Sequence, residues 1–371
     1  MPPESLGTAV LFLVAGLVAL TVGAEVFLRG ASRLASLMGV SPLVIGLTVV
    51  AYGTSTPELA VSVCSAAAGS VELAIGNVVG SNICNVLLIL GLSALIAPLT
   101  VSRQLIRWEV PLMVGVSVLP LVMGLDGYIS RPEGLLLVGG CVLYTWWSVR
   151  QSRRETLAAQ EANGTPPSPG RRPWRAQVAL TLIGLAVLTT GSYAAVQGAV
   201  GIARLLGVGE LVIGLTIIAL GTSLPELATS LVASIRGERD IAVGNIVGSN
   251  LFNILMVLGL TAAVAPHGLN VPASALTFDL PVMIAVAISC LPIFLTGSII
   301  SRWEGAFFLL YYIAYIVYLV IDSGQRTSTT ALDTVLIVFV VPMLVIALLG
   351  VGHWLLRIHR TLRADSQPPI V

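Results

Sequence analysis

The sequence predicts an all-α integral membrane protein: two inverted five-helix repeats, forming a ten-helix core, with one extra helix at the C-terminus. Three observations predict it. Of the 371 residues, 56% are hydrophobic and only 10% charged, with a mean hydropathy of +0.96, whereas a soluble domain carries about 25% charged residues. Apolar runs of about 20 residues, long enough to cross a bilayer as helices, recur from end to end. The stretch Gly46 to Pro98 also occurs twice: shifted by 168 residues it becomes Gly214 to Pro266 without a gap, and 28 of the 53 paired positions are identical. A repeat of that length governs the architecture and is read first.

In chain order the runs give eleven spans, near 6–28, 41–68, 73–97, 107–125, 129–149, 177–203, 209–235, 240–264, 277–297, 303–322 and 331–356. The first lacks a basic leading segment and reads as a retained helix, not a cleaved signal. Between the fifth and sixth lies QSRRETLAAQEANGTPPSPGRRPW, whose Pro, Gly and charge mark a solvent-exposed linker. The likeness extends beyond the central stretch. Gly23, Gly30, Ala31, Gly39 and Val40 recur as Gly191, Gly198, Ala199, Gly207 and Val208; Glu109-Val-Pro-Leu-Met echoes Asp279-Leu-Pro-Val-Met; Ile129-Ser-Arg-Pro-Glu-Gly echoes Ile300-Ser-Arg-Trp-Glu-Gly. The expected units are therefore 1–150, a cytoplasmic linker 151–175, a second repeat 176–323, and 324–371 with an unpaired helix and a cytoplasmic tail.

Five is odd, so successive five-helix units must enter the membrane from opposite sides. Arginines test this, because short cytoplasmic loops collect them. With the N-terminus outside and the C-terminus cytoplasmic, 16 arginines fall in cytoplasmic segments, and only Arg131, Arg204 and Arg326 fall outside. The link inside the first copy is GSVE; its counterpart is RGERD. One link is thus expected outside and the other inside, in a membrane of the bacterial inner-membrane type. Inverted repeats with interrupted helices are a plan of secondary transporters, with the ion site at mid-membrane between the repeats.

Composition also excludes partners. A net charge of +1 argues against nucleic acid, and all 19 basic residues are arginines, so no Walker-type phosphate loop and no direct use of ATP is expected. Cys64, Cys84, Cys141 and Cys290 stand singly in apolar runs and read as packing residues. His267, His353 and His359 sit in no motif with a serine, which leaves an intramembrane serine hydrolase without support. No cofactor is expected. The partners implied are the lipid bilayer and small cations, and the sequence leaves the oligomeric state open.

Within the repeat the apolar positions drift among Val, Ile, Leu and Ala, while the polar ones match. Glu58 and Glu226 fall near mid-bilayer, where an acid is a functional candidate by default. Pro57 and Pro225 precede them, and each removes a backbone N–H opposite Gly53 or Gly221. A turn is expected to unwind there and to free the carbonyls around Ala51 and Ala219, with Thr54, Ser55, Thr222 and Ser223 adding hydroxyls. Asn77, Ser81 and Asn85, at i, i+4 and i+8, share one helix face, as do Asn245, Ser249 and Asn253. Ser81, Asn85, Ser249 and Asn253 read as binding residues. Asn77 and Asn245 stand open between binding and bonding helix to helix, as do Asn82 and Asn250, which lie one position round from the serines. Gly76 and Gly80 offer a small-xxx-small seat for another helix. Carboxylates, hydroxyls and amide oxygens without imidazole or thiolate suit a hard cation such as calcium, not a transition metal. Elsewhere Glu25 and Arg29 read as a local pair. Glu109, Asp279, Glu133 and Glu304 read as interface anchors, and Tyr144, Trp146, Trp147, Tyr311, Tyr312, Tyr315 and Tyr318 as interfacial aromatics.

The doubled pattern GTSxPELA followed by GNxxGSNxxN resembles the alpha-repeats of the cation/calcium exchanger superfamily, specifically its sodium/calcium exchanger branch. The resemblance covers the first ten helices. It implies the four motif helices at the centre and antiport of calcium against sodium by alternating access. It also implies as ligands Ala51, Thr54, Ser55, Glu58, Ser81 and Asn85 with Ala219, Thr222, Ser223, Glu226, Ser249 and Asn253. Some members carry an aspartate at the position of Asn253; asparagine here speaks against a third acid and against potassium co-transport. Gly80 and Gly248 stand where the cation/proton branch usually has an acid, which favours sodium over protons and leaves proton-coupled exchange as the alternative. A passive cation channel is the more distant rival. The eleventh helix departs from the family's core.

Overall fold

The computed structural model describes residues 5–162, 174–208, 213, 217–295 and 298–322. The expected eleventh helix at 331–356 and linker residues 163–173 lie outside them.

Helix α1, Leu6–Met38, starts at Ser5, whose hydroxyl accepts the Thr8 N–H in a reciprocal capping box, and stops at Gly39 with φ of 66°. It runs past the expected end at 28, because residues 29–38 contain no proline and only one glycine. Its repeat partner is α7, Trp174–Leu205. The two pack antiparallel along glycine seams. A Cβ on Gly23 would lie 2.6 Å from the Leu188 nitrogen, and one on Gly30 would lie 2.7 Å from the Thr181 nitrogen. Gly191 and Gly198 answer them against Leu20 and Leu13. Residue numbers rise on one helix as they fall on the other, as inverted repeats require. Such close backbone approach is how membrane helices associate without a hydrophobic driving force.

The first motif forms α2, Pro42–Thr54, and α3, Thr56–Ala67, bent by 44° at Ser55, then α4, Val71–Ile96. The second forms α8, Ala219–Gly221, α9, Leu224–Ile235, and α10, Arg239–Val264. The motif helices hold the centre: 94% of the most apolar window of α10 and 72% of that of α4 are buried, against 28% for α1 and 33% for α7. Gly244 and Gly248 seat α10 on the backbone of Leu43, Gly46 and Leu47. Residues 209–212 and 214–216, which the repeat pairs with that segment, lie outside the described residues, and with them the expected seat of Gly76 and Gly80.

Four outer helices complete the bundle: α5 (Leu105–Asp126), α6 (Arg131–Ala162), α11 (Ala275–Phe294) and α12 (Arg302–Asp322). Among the described residues six helices are long and apolar enough to cross a membrane, and the bent α2–α3 pair makes a seventh. The repeats interlock. Gly134 of α6 packs on Gly259 of α10, and Gly305 of α12 on Gly91 of α4. Strand β1 (Leu99–Thr100) pairs with β4 (Ile299–Ile300), and β2 (Tyr128–Ile129) with β3 (Leu269–Asn270), both antiparallel. Arg131 Nε donates to the Ala263 carbonyl at 2.9 Å, and Arg302 to the Ile96 carbonyl at 3.4 Å.

One expectation about the outer helices needs correction. Glu109 is not an interface anchor: it is fully buried, and accepts from the Tyr144 hydroxyl at 2.7 Å and Gln104 Nε2 at 3.2 Å. Tyr144, Tyr311, Tyr312 and Tyr315 are buried, because the packing of the outer helices encloses their rings. Trp146 is exposed, with the Arg150 guanidinium 5.1 Å from its ring centre. Glu133 and Glu304 accept from the backbone N–H of Ser130 and Ser301 and so cap the starts of α6 and α12.

Candidate ion-binding site

The backbone at GTSxP bends without unwinding a turn. Ser55 N–H donates to the Ala51 carbonyl at 2.9 Å and Leu59 N–H to the Ser55 carbonyl at 3.2 Å, so the ladder resumes at once. The bend therefore does not free the Ala51 carbonyl from its helical N–H. The physical reason is position. The break at Ser55 places Pro57 in the first turn of α3, where a missing N–H has no partner to lose. In the second copy Ser223 N–H reaches Leu220 at 3.1 Å, one residue nearer along the chain, while Leu227 N–H returns to Ser223 at 3.0 Å.

At the two breaks the glutamates cross over to the opposite repeat. Ser55 Oγ donates to Glu226 Oε1 at 2.7 Å, and Ser223 Oγ donates to Glu58 Oε1 at 3.2 Å. Ser223 Oγ also lies 3.3 Å from Ser81 Oγ. Both carboxylates are buried, and their second oxygens, Glu58 Oε2 and Glu226 Oε2, have no hydrogen-bond partner. The serine at one break thus holds the acid at the other.

Helices α4 and α10 supply the amides. Asn85 and Asn253 each open a π-helical turn, Asn85–Leu90 and Asn253–Leu258, a local widening frequent at functional sites. Asn85 Nδ2 donates to Asn250 Oδ1 at 3.0 Å, and Asn253 Nδ2 to Asn82 Oδ1 at 3.2 Å. Their own carbonyl oxygens, Asn85 Oδ1 and Asn253 Oδ1, are buried and unpartnered, as is Ser249 Oγ. A buried acceptor without a donor costs about 1–3 kcal/mol. Four such oxygens, two carboxylate and two amide, make a set that a hard cation would satisfy. Among the described residues no group of three His, Cys, Asp or Glu side chains converges, as a transition-metal site would need.

The remaining sequence candidates divide. Asn77 Nδ2 donates to the Glu58 carbonyl at 3.1 Å and to Ser62 Oγ at 2.9 Å, and its Oδ1 accepts from the Thr222 hydroxyl at 3.3 Å. Asn245 repeats this with Ser230 at 2.9 Å and the Thr54 hydroxyl at 3.3 Å. Both amides tie their helix to the neighbouring motif helix, so the structure favours the helix-bonding reading for them. Sequence reasoning left Asn82 and Asn250 undecided, and here they fix the amides of Asn253 and Asn85.

Residues 8–150 and 176–321 match the sodium/calcium exchanger protein family, one match over each repeat. The chain belongs to that family. It is 42% identical over 83% of its length, and 97% of the relative's, to the putative antiporter CaxA of Alkalimonas amylolytica. It is 34% identical to the sodium/calcium exchanger MaX1 of Methanosarcina acetivorans, again over 83% of this chain and 97% of that one. A solved structure of the sodium-calcium exchanger NCX_Mj, soaked with zero Na+ and Ca2+, superposes with a TM-score of 0.72 at 32% identity, covering 85% of this chain and all of that one. The all-α membrane exchanger fold follows from family and structure together. Within it, the symmetric oxygen set lies on the motif helices of both repeats, each copy inside one of the two family matches.

Proposed function

We propose that this protein is a secondary-active antiporter that exchanges calcium for sodium by alternating access. Its ions would be held at mid-membrane by Glu58, Glu226, Asn85 and Asn253, with Thr54, Ser55, Ser81, Thr222, Ser223 and Ser249 adding hydroxyl oxygens. The carbonyls of Ala51 and Ala219 would add main-chain oxygens: that of Ala51 accepts the Ser55 N–H but keeps a second lone pair, and the Ser223 N–H passes over that of Ala219 to reach Leu220. One observation carries the reading: unpartnered buried oxygens stand in matched pairs on the two repeats, with Glu58 opposite Glu226 and Asn85 opposite Asn253. Two carboxylates balance one divalent or two monovalent cations, which makes calcium and sodium competitors for the same oxygens. Desolvating either ion alone would be costly; replacing its water by six or more fixed oxygens offsets that. The names of the relatives support the same substrates.

The units 1–150 and 176–323 would then be the two halves that rock against each other, joined by a cytoplasmic linker at 151–175, with 324–371 an addition to that core. The N-terminus would lie outside and the C-terminus in the cytoplasm. A bacterial inner membrane agrees with a 39% identical relative, inner membrane protein YrbG of Escherichia coli, matched over 76% of this chain.

The test is uptake of calcium-45 into proteoliposomes under an imposed sodium, potassium or proton gradient. Uptake driven by outward sodium and unmoved by potassium or pH supports the reading. Uptake driven by a pH gradient with sodium inert would replace it with proton-coupled exchange, and uncoupled flux with a channel.

A further inference from the structure

An asparagine that is to hold a cation must present its carbonyl oxygen, yet its amide group has two ends of nearly equal shape. Turned about, it would aim N–H donors at the ion. Both Asn85 and Asn253 present the oxygen, and the reason lies outside the site. Asn253 Nδ2 donates to Asn82 Oδ1, and Asn82 Nδ2 donates to the Met283 sulfur at 3.6 Å. In the mirror arrangement Asn85 Nδ2 donates to Asn250 Oδ1, and Asn250 Nδ2 donates to the Met113 sulfur at 3.6 Å. Each chain ends on a thioether, which can accept a hydrogen bond but has no proton to give. Met113 lies on α5 and Met283 on α11, inside the two echoed segments Glu109–Met113 and Asp279–Met283. All six side chains are buried, away from bulk solvent, so each relay's polarity is set by the neighbours named here.

We propose that Met113 and Met283 are positioning residues: acceptor-only ends of two amide relays, through Asn250 and Asn82, that set which end of Asn85 and Asn253 faces the transported cation. The sulfur admits only the Nδ2 of Asn82 or Asn250, which turns that residue's Oδ1 inward. That oxygen in turn admits only the Nδ2 of Asn253 or Asn85, and the last carbonyl is left pointing at the ion. The relay rests on the ligand role assigned above to Asn85 and Asn253. It gives α5 and α11, which contribute no ligand, a direct hold on ion affinity.

The discriminating experiment is a double-mutant cycle, read as the half-saturating calcium and sodium concentrations and the maximal rate in proteoliposomes, with thermal unfolding in detergent as the folding control. M283L keeps the volume and removes the acceptor. It should raise the half-saturating calcium concentration about tenfold, the effect of about 1.4 kcal/mol, while the maximal rate and the unfolding midpoint stay near those of the parent. N253D offers an oxygen to the ion whichever way it turns, and it also removes the donor to Asn82 Oδ1; M283L added to N253D frees Asn82 to turn its Nδ2 toward the carboxylate and should raise the half-saturating calcium concentration no further. An equal rise in both backgrounds would mean that the methionine merely packs, and the relay would be wrong. If N253D alone left both half-saturation values unchanged, the ligand assignment would fail first and take the relay with it. Should M283L unfold, the symmetry-related pair M113L and N85D is judged by the same criteria.

Discussion

The two repeats are alike at the centre of the molecule and unlike on either side of it. Each serine at a helix break bonds the other repeat's glutamate, each asparagine at a π-turn leaves one oxygen bare, and each amide relay ends on a methionine. Beside that centre the likeness ends. Tyr52 stacks on Phe252 with ring centres 4.4 Å apart, and its hydroxyl reaches Thr145 and Cys141; the repeat-related positions are Leu220 and Cys84. Glu25 of α1 bonds Arg29 at 2.5 Å and also Arg236, just past the end of α9; the related positions are Tyr193 and Ala68. Under the proposed topology the aromatic stack and the ion pair both lie on the cytoplasmic side of the site. With these matched oxygens as the proposed ligands, the ion would be indifferent to which repeat holds it. Unlike flanks make the two access routes unequal, and only differential contacts of that kind can bias a two-state equilibrium.

The largest expected effect tests the likeness. Glu58→Gln keeps the size of the side chain and removes one of the site's two charges. At ~4 Å and an effective dielectric of ~20, one carboxylate facing a divalent ion is worth roughly 8 kcal/mol before desolvation. A small part of that suffices, since each 1.4 kcal/mol is about tenfold in binding. Glu226→Gln should behave alike, because the two carboxylates are matched in burial, serine partner and bare oxygen. Sodium-driven calcium-45 uptake by either purified, folded variant should fall to the background of empty liposomes. Robust transport by one of them would break the equivalence and with it the site.

Much of this was legible in the sequence because the repeat sorts residues by function. Apolar positions answering only to lipid and packing drifted, whereas Glu58, Ser55, Asn85 and their counterparts kept their identity. Helix order was readable for the same reason, whereas the central place of the motif was an implication of the resemblance to the exchanger family. What was not readable depends on distances between segments far apart in the chain. Proline chemistry suggested an unwound turn, but the outcome hung on where the helix restarts, and a restart at Thr56 makes Pro57 harmless. Glu109 looked like an interface anchor from its place at a span end, yet Tyr144 and Gln104 enclose it. Asn82 pointed away from the face of Ser81 and Asn85, and only the opposing α10 and α11 show what it holds. The echo of Glu-Val-Pro-Leu-Met in Asp-Leu-Pro-Val-Met was the available signal, but spacing alone did not say that its methionine meets an asparagine.

The flanks supply the intermediate effect. An aromatic pair contributes about 0.5–1.5 kcal/mol beyond its area, and the Tyr52 hydroxyl adds a hydrogen bond of about 1 kcal/mol. The double variant Tyr52→Leu, Phe252→Cys gives that side the residues of its counterpart. If the stack favours closure there, removing it should shift the balance of access states by about tenfold. The readout is the ratio of half-saturating calcium concentrations at the two faces, measured in vesicles of defined orientation. An unchanged ratio, with uptake intact, would show that the stack only fills space.

The smallest effect belongs to Glu25. Its carboxylate bonds two arginines, one on its own helix and one beyond the end of the helix that carries Glu226, and it remains about one-third exposed. Exposed ion pairs contribute about 0–1 kcal/mol and weaken with salt. Glu25→Gln retains an oxygen that can accept from either guanidinium, so ion affinity should stay within about threefold of the parent, since 0.6 kcal/mol is a factor of about 2.7. What change there is should move the two-face ratio in the same direction as the Tyr52 and Phe252 variant, because both contacts span the same side. It should also vanish at high ionic strength, where the aromatic effect persists. A loss of transport as deep as that of Glu58→Gln would instead place Glu25 among the ligands. The first repeat would then hold a ligand for which the second, with Tyr193 at that position, has no counterpart.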